Sequence, residues 1–173
     1  MSDAVDNDLH AQVKSIVDEL EAAVSGSLYN IDGGYVVMDD PDEWKREQYG
    51  KMAEKFRREH PEDDMDRELY DDYQEWMEDE IGTVDDVDEP DEVSLSEYID
   101  DQALGDVRFE VDPEKTLYGG KILFCCGGPN IWVADDEVRG YWGCSSCEMS
   151  LDSETRSALW SWFEEQWDAV KEG

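Results

Sequence analysis

The residues of this chain with the densest capacity for chemistry are carboxylates. Between Glu62 and Asp101 there are twenty Asp and Glu side chains and one base, Arg67, within a chain whose formal net charge is -34. Carboxylates in such numbers could do three things: solvate the protein, ligate a cation, or present an anionic surface to a basic partner. The same segment contains Met65, Leu69, Tyr70, Tyr73, Trp76, Met77 and Ile81. Disordered acidic tails rarely carry so many large apolar residues, so the tract reads as an ordered acidic surface with an aromatic backing.

Calcium ligation finds little support. Asp85, Asp86, Asp88, Glu89, Asp91 and Glu92 are oxygen donors, but Pro90 stands where an EF-hand loop needs a ligand and its glycine is missing. The second candidate set is Cys125, Cys126, Cys144 and Cys147. Cys144 and Cys147 have zinc-knuckle spacing, whereas Cys125 and Cys126 are adjacent and would point to opposite faces of a strand. The only histidines, His10 and His60, lie far away in sequence. Buried thiols acting as small hydrophobes are the simpler expectation, with a small zinc module as an alternative. A Cys-x-x-Cys redox role lacks the strand and helix context it needs.

Enzymatic signatures are missing from the sequence: it contains no G-x-S-x-G, P-loop, H-E-x-x-H or G-x-G-x-x-G pattern. Direct binding to nucleic acid is disfavoured by a pI near 4.1, since phosphate affinity comes mainly from Lys and Arg. No stretch approaches the length of a membrane span, and the acidic start MSDAVDNDLH is unlike a signal peptide. The expectation is a cytoplasmic protein with thiols in reduced form.

The elements that must hold these groups follow from periodicity. Val5, Leu9, Val13, Ile16, Val17, Leu20 and Val24 predict an amphipathic helix over 3–25 ended by Gly26. Asp32-Gly33-Gly34 reads as a turn into a short strand, Tyr35–Met38. Asp40-Pro41 predicts a cap and first turn of a helix that stops at His60-Pro61. That helix is charge-balanced, with six acids and six bases between Asp39 and Arg58.

In the acidic tract, Asp63 or Asp64 is expected to cap a helix running to about Ile81, with Leu69, Tyr73, Trp76 and Met77 inward. Glu68, Asp71, Asp72, Glu75, Glu78 and Asp79 would face out. Gly82 should break it, and TVDDVDEPDEV reads as an aperiodic, mobile acidic arm. SLSEYIDDQAL predicts a short helix capped by Ser94 or Ser96. Four short apolar runs, Val107–Val111, Gly120–Cys126, Asn130–Ala134 and Val138–Gly143, predict an antiparallel meander. A final helix capped by Asp152 or Ser153 should pack Leu159, Trp162, Phe163, Trp167 and Val170 on that sheet. The fold class expected is a single α+β domain: a helical part over 1–60, the acidic helix and arm over 61–101, and a meander of about four strands with a C-terminal helix over 102–173.

The run YIDDQAL, followed by ILFCC, GGPNIWV and VRGYWG over about residues 96–143, resembles small uncharacterised proteins carried by phages, plasmids and other mobile elements. The acidic composition is similar to that of the DNA-mimic class of anti-restriction and anti-CRISPR proteins. Together these resemblances imply a phage-type inhibitor of a host defence complex.

Carboxylates at i and i+4 on a helix are about 6 Å apart in rise, and a DNA strand carries one charge per about 3.4 Å of axis. A row such as Glu68, Asp72, Glu75 and Asp79 would therefore imitate phosphates. The expected contact set for the basic groove of a CRISPR effector or restriction nuclease is Asp64, Glu68, Asp71, Asp72, Glu75, Glu78, Asp79, Asp85, Asp86 and Asp88, with no cofactor or metal, no catalysis and no direct nucleic acid. The competing expectation is a halophilic structural or interaction protein. Against it, half of residues 62–101 are acidic while the rest of the chain holds only 28 acids, and Lys and Arg are equally represented at seven each.

Overall fold

In the computed structural model, which describes residues 2–172, with side chains placed from residue 7 to residue 171, the three- and four-residue apolar spacing becomes α1, Ser2–Ser25. Val5's side chain falls outside the described residues. Gly26, at φ +75°, ends α1 as expected, and Ser27 N–H donates to Ala22 O at 2.8 Å. The chain divides into two compact units, 1–37 with 92–173, and 38–91. These boundaries differ from the compositional ones at 60 and 101.

The larger unit is mixed helix and sheet. Its first strands, β1 (Leu28–Ile31) and β2 (Gly34–Val37), form a hairpin in which Asp32 and Gly33 both have positive φ, 53° and 81°. That is the backbone a two-residue primed turn requires, and Asp-Gly supplies it. Sequence reading placed the turn and the second strand but missed β1. A two-residue β3 (Asp91–Glu92) gives the sheet order β2-β1-β3, and Val93 N–H donates to Leu28 O at 2.8 Å. The helix α4 (Leu95–Gln102) starts at Ser94, whose hydroxyl accepts from Glu97 N–H while the Glu97 carboxylate accepts from Ser94 N–H.

The second sheet is an antiparallel meander in sequence order: β4 (Val107–Val111), β5 (Leu117–Cys125), β6 (Asn130–Ala134), β7 (Glu137–Trp142) and β8 (Ser145–Ser150). It has five strands where about four were expected. The unforeseen strand is SSCEMS, in which the inward face holds Ser145, Cys147 and Met149, with the last two its apolar residues, and the outward positions are polar. Such a one-sided edge strand gives a weak apolar signal.

One face of the meander is buried under α1 and α5 (Ser153–Glu172). Ile122, Phe124, Ile131, Val133 and Val138 line it, meeting Leu9 and Val13 from α1 and Leu159, Trp162 and Phe163 from α5. Two glycines set the approach. A Cβ on Gly140 would lie 2.7 Å from Leu9 and Val13 methyls, and one on Gly120 would lie 2.5 Å from the Phe163 ring. Asp152 caps α5 by accepting from Thr155 N–H at 2.7 Å. Val170, expected on the packed face, is 58% exposed.

Candidate functional site

The ten carboxylates expected at the contact surface all lie in the smaller unit, Met38–Asp91. Its first element is α2 (Pro41–Glu59). Asp40 caps it, accepting from Asp42 N–H at 3.0 Å and Glu43 N–H at 3.1 Å, with proline in the first turn. His60-Pro61 ends α2, as expected, because proline cannot continue the hydrogen-bond ladder. The core of this unit is small: Ala53, Phe56 and Met77 are buried, with Tyr49, Tyr73, Trp76 and Ile81 against them. The Phe56 and Trp76 rings meet edge to face at 5.2 Å, and Tyr73 meets Trp76 at 5.7 Å. The Tyr73 hydroxyl donates to His60 O.

The long acidic helix expected from Asp63 or Asp64 to Ile81 does not form. Glu62–Asp64 is one 3₁₀ turn, residues 65–72 are irregular, and α3 runs only over Tyr73–Ile81. Three local causes are visible. Asp66 accepts from Glu68 N–H at 2.9 Å, an Asx turn that competes with helix. Asp72 is the true cap of α3, accepting from Glu75 N–H at 2.9 Å. Leu69, expected inward, is 72% exposed, so it does not tie the segment before α3 to the core. Like charges three and four apart, each opposing helix by a few tenths of a kcal/mol, then win over propensity.

The row Glu68, Asp72, Glu75, Asp79 is consequently not a helical ladder. Glu68 lies outside the helix and Asp72 sits at its start; of the ten expected carboxylates, Glu75, Glu78 and Asp79 are held on α3. Beyond α3, Gly82 takes φ +77° as its stop. The arm expected to be aperiodic contains a 3₁₀ turn, Val84–Asp86, closed by Thr83 and Asp86. The Asp86 carboxylate accepts from Thr83 N–H and from its hydroxyl, both at 2.8 Å, and these bonds hold it below the usual carboxylate range.

Five of the ten carboxylates thus do local work while staying open to solvent: Asp72, Glu75, Glu78, Asp79 and Asp86. Glu75 accepts from Asp71 N–H at 2.9 Å, Glu78 from the Gln74 amide, and Asp79 from the Tyr70 hydroxyl at 2.6 Å. The last bond, with burial and neighbouring carboxylates behind it, pushes Tyr70 up to about 12. Asp64, Glu68, Asp71, Asp85 and Asp88 have exposed side chains and, among the described residues, accept no side-chain hydrogen bond. All twenty carboxylates from Glu62 to Asp101 are exposed. The surface can therefore pair with cations or N–H donors of a partner at little desolvation cost to itself.

The cysteines fall on the larger unit. Among the described residues no three His, Cys, Asp or Glu side chains are placed to hold one metal ion. Cys144 lies in the β7–β8 turn and Cys147 on β8, and both are free thiols. Sequence reasoning set the histidines aside as distant. In the fold His10 Nδ1 lies 3.5 Å from Cys147 Sγ, because α1 packs along β8. A separation of 137 residues left no local signal for it. No family model, curated protein or solved structure matches this chain.

Proposed function

We propose that the chain is a non-catalytic inhibitor of a nucleic-acid-binding host defence complex, such as a CRISPR effector or restriction nuclease, that occupies a basic DNA or RNA groove by imitating phosphate charge. The supporting observation is the exposure of all twenty carboxylates between Glu62 and Asp101, a segment whose one base is Arg67, with Lys45 of α2 pairing to Glu89. The imitation rests on charge density and not on a periodic helical ladder. Only Glu75 and Asp79 keep the i, i+4 spacing of about 6 Å on α3. The aromatic core of the smaller unit backs α3, while Asp72 and Asp86 brace the turns around it, which limits the ordering cost when Arg and Lys of a groove close on the surface.

Affinity capture on immobilised chain, followed by elution with a short DNA duplex, tests the reading. Nucleic-acid-binding proteins should be retained and displaced by duplex. A variant carrying Glu68→Lys, Asp71→Lys, Asp85→Lys and Asp88→Lys, none of which caps an element, should retain none of them and should not block cleavage by a captured nuclease. Undiminished inhibition by that variant would sink the proposal.

A further inference from the structure

The face of the meander turned away from α1 and α5 carries residues that neither the core nor the acidic surface uses. Strand register places Arg108 beside Lys121, and Trp132 beside Arg139. The Arg108 guanidinium lies 4.6 Å from the centre of the Trp132 ring and the Lys121 ammonium 5.4 Å from it. Arg108 is neutralised by two hydrogen bonds to Asp106, and Arg139 is paired with Glu137. Lys121 differs: it is half-buried and, among the described residues, has no carboxylate within 4 Å, although the chain carries 48 acids.

Beside this cluster is a cavity of about 400 Å³, within the size range of small-molecule sites. Its sheet floor is made of small residues, Gly120 and Ala134, with Gly119 adjoining. Glycine in a strand interior weakens the strand and marks a place where something approaches the backbone closely. Phe163 accounts for Gly120 from the covered side. At Gly119 the neighbour that a Cβ would meet is the Glu110 carboxylate, at 3.2 Å, on the open side.

The cavity wall is divided by sign. Lys121, Arg139 with its partner Glu137, and the Trp132 indole stand one layer along the strands from Glu110, Asp135 and Asp136, and these last three have no basic partner among the described residues. An anion alone would meet four carboxylates, Glu137 among them. A cation alone would meet Lys121 and Arg139, and has better sites all over so acidic a surface. The arrangement suits a ligand carrying both charges. We propose that this open face binds a small zwitterion of the α-amino-acid type, its carboxylate toward Lys121 and Arg139, its ammonium toward Glu110, Asp135 and Asp136, and its side chain against Trp132.

The test is an amide and indole NMR titration of the full chain with L-phenylalanine, L-glutamate and L-arginine in turn. At least one should saturate with a Kd of about 1 mM or tighter, moving the Gly119 and Gly120 amides and the Trp132 indole N–H. Its N-acetyl and carboxamide forms, each lacking one charge, should bind about tenfold more weakly or worse. Lys121→Met and Glu110→Gln should each weaken binding about tenfold. Lys14→Gln, with the same charge change on α1, should leave it unaltered. Unmoved Ile122 and Val133 amides show that a site variant keeps the sheet, and one folded site variant is enough to decide the test. The proposal fails if none of the three saturates by about 10 mM, if an uncharged-end form binds as well as its parent, or if a folded site variant binds normally.

Discussion

The Tyr98 hydroxyl donates to Glu19 Oε2 at 2.6 Å, joining α4 to α1 beneath the surface of the larger unit. Tyr98 is fully buried, and its ring meets Tyr35 edge to face at 5.1 Å; the Tyr35 hydroxyl in turn donates to Asp101 at 2.6 Å. Burial first, and the carboxylate acceptors second, raise both phenols, Tyr35 to about 12 and Tyr98 further. Tyr98→Phe keeps the packing and removes a bond to a charged group, so it should cost about 1.5–3 kcal/mol in urea unfolding at pH 7.

The same two tyrosines set an alkaline limit. A phenol raised in the folded state contributes stability that is fully present below its unfolded value of about 10. That contribution is lost as pH rises from there through the folded value, because the unfolded chain gives up its proton first. For Tyr35 the window is pH 10 to about 12. Urea midpoints should fall across this interval, and Tyr35→Phe and Tyr98→Phe should each flatten the fall. Slopes identical to wild type would mean that neither phenol is held as described.

Gly120 and Gly140 decide how closely the two covering helices approach the sheet. Gly120→Ala places a methyl 2.5 Å from Phe163 ring atoms, and Gly140→Ala places one 2.7 Å from Leu9 and Val13. Overpacking of this kind typically costs about 1–3 kcal/mol. Phe163 is a rigid ring wedged between Phe109 and Trp162, whereas Leu9 can change rotamer, so Gly120→Ala should be the more damaging. Adding Leu9→Ala to Gly140→Ala should restore less than it removes if the site is already relaxed, and more than half of the loss if the clash is real. Thermal unfolding of these three variants, with Leu9→Ala alone as the fourth member, separates these cases.

The parts of the fold that were legible in the sequence are those where a local rule and the tertiary environment agree. Asp40-Pro41, Ser94 with Glu97, and Gly26 each carry their own hydrogen-bond or dihedral logic, and each bounds its helix as read. β8 was missed because half of its residues face water and its apolar inward residues are Cys147 and Met149. The acidic helix was overextended because the apolar positions of Leu69 and Met65 fit a 3.6-residue period on paper. Met65 is buried while Leu69 is exposed, a difference set by the turn at Asp66 and invisible to periodicity. Exposure of the ten candidate carboxylates was legible from charge alone; their division into braced and unbraced groups was not.

Asp72 offers a way to weigh capping against charge repulsion in the smaller unit. Its side chain satisfies Glu75 N–H, a cap worth about 1 kcal/mol. Removing one charge beside Asp71 and Glu75 returns a few tenths of a kcal/mol. The cap is the larger quantity, so Asp72→Ala should destabilise α3, while Asp72→Asn, which keeps the acceptor and sheds the charge, should be neutral or slightly stabilising. Hydrogen exchange at the Met77 to Ile81 amides reads this directly: protection should fall several-fold in the alanine variant and hold in the asparagine variant.

Thiol chemistry distinguishes two states of the pair formed by His10 and Cys147. Burial, with Glu148 alongside, raises the Cys147 thiol, which favours a neutral thiol over a thiolate beside His10. Cys126 and Cys144 are exposed, whereas Cys125 and Cys147 are half-buried. A thiol reagent at pH 7.5 should therefore modify two cysteines quickly and two slowly, with Cys147 among the slow ones. His10→Ala uncovers the Cys147 sulfur at the edge of the sheet, and a neutral thiol that gains access should react faster. A thiolate stabilised by an imidazolium would lose its counter-charge and react more slowly instead. The direction of the change in Cys147 labelling, followed by mass spectrometry of the intact and digested chain, decides between the two.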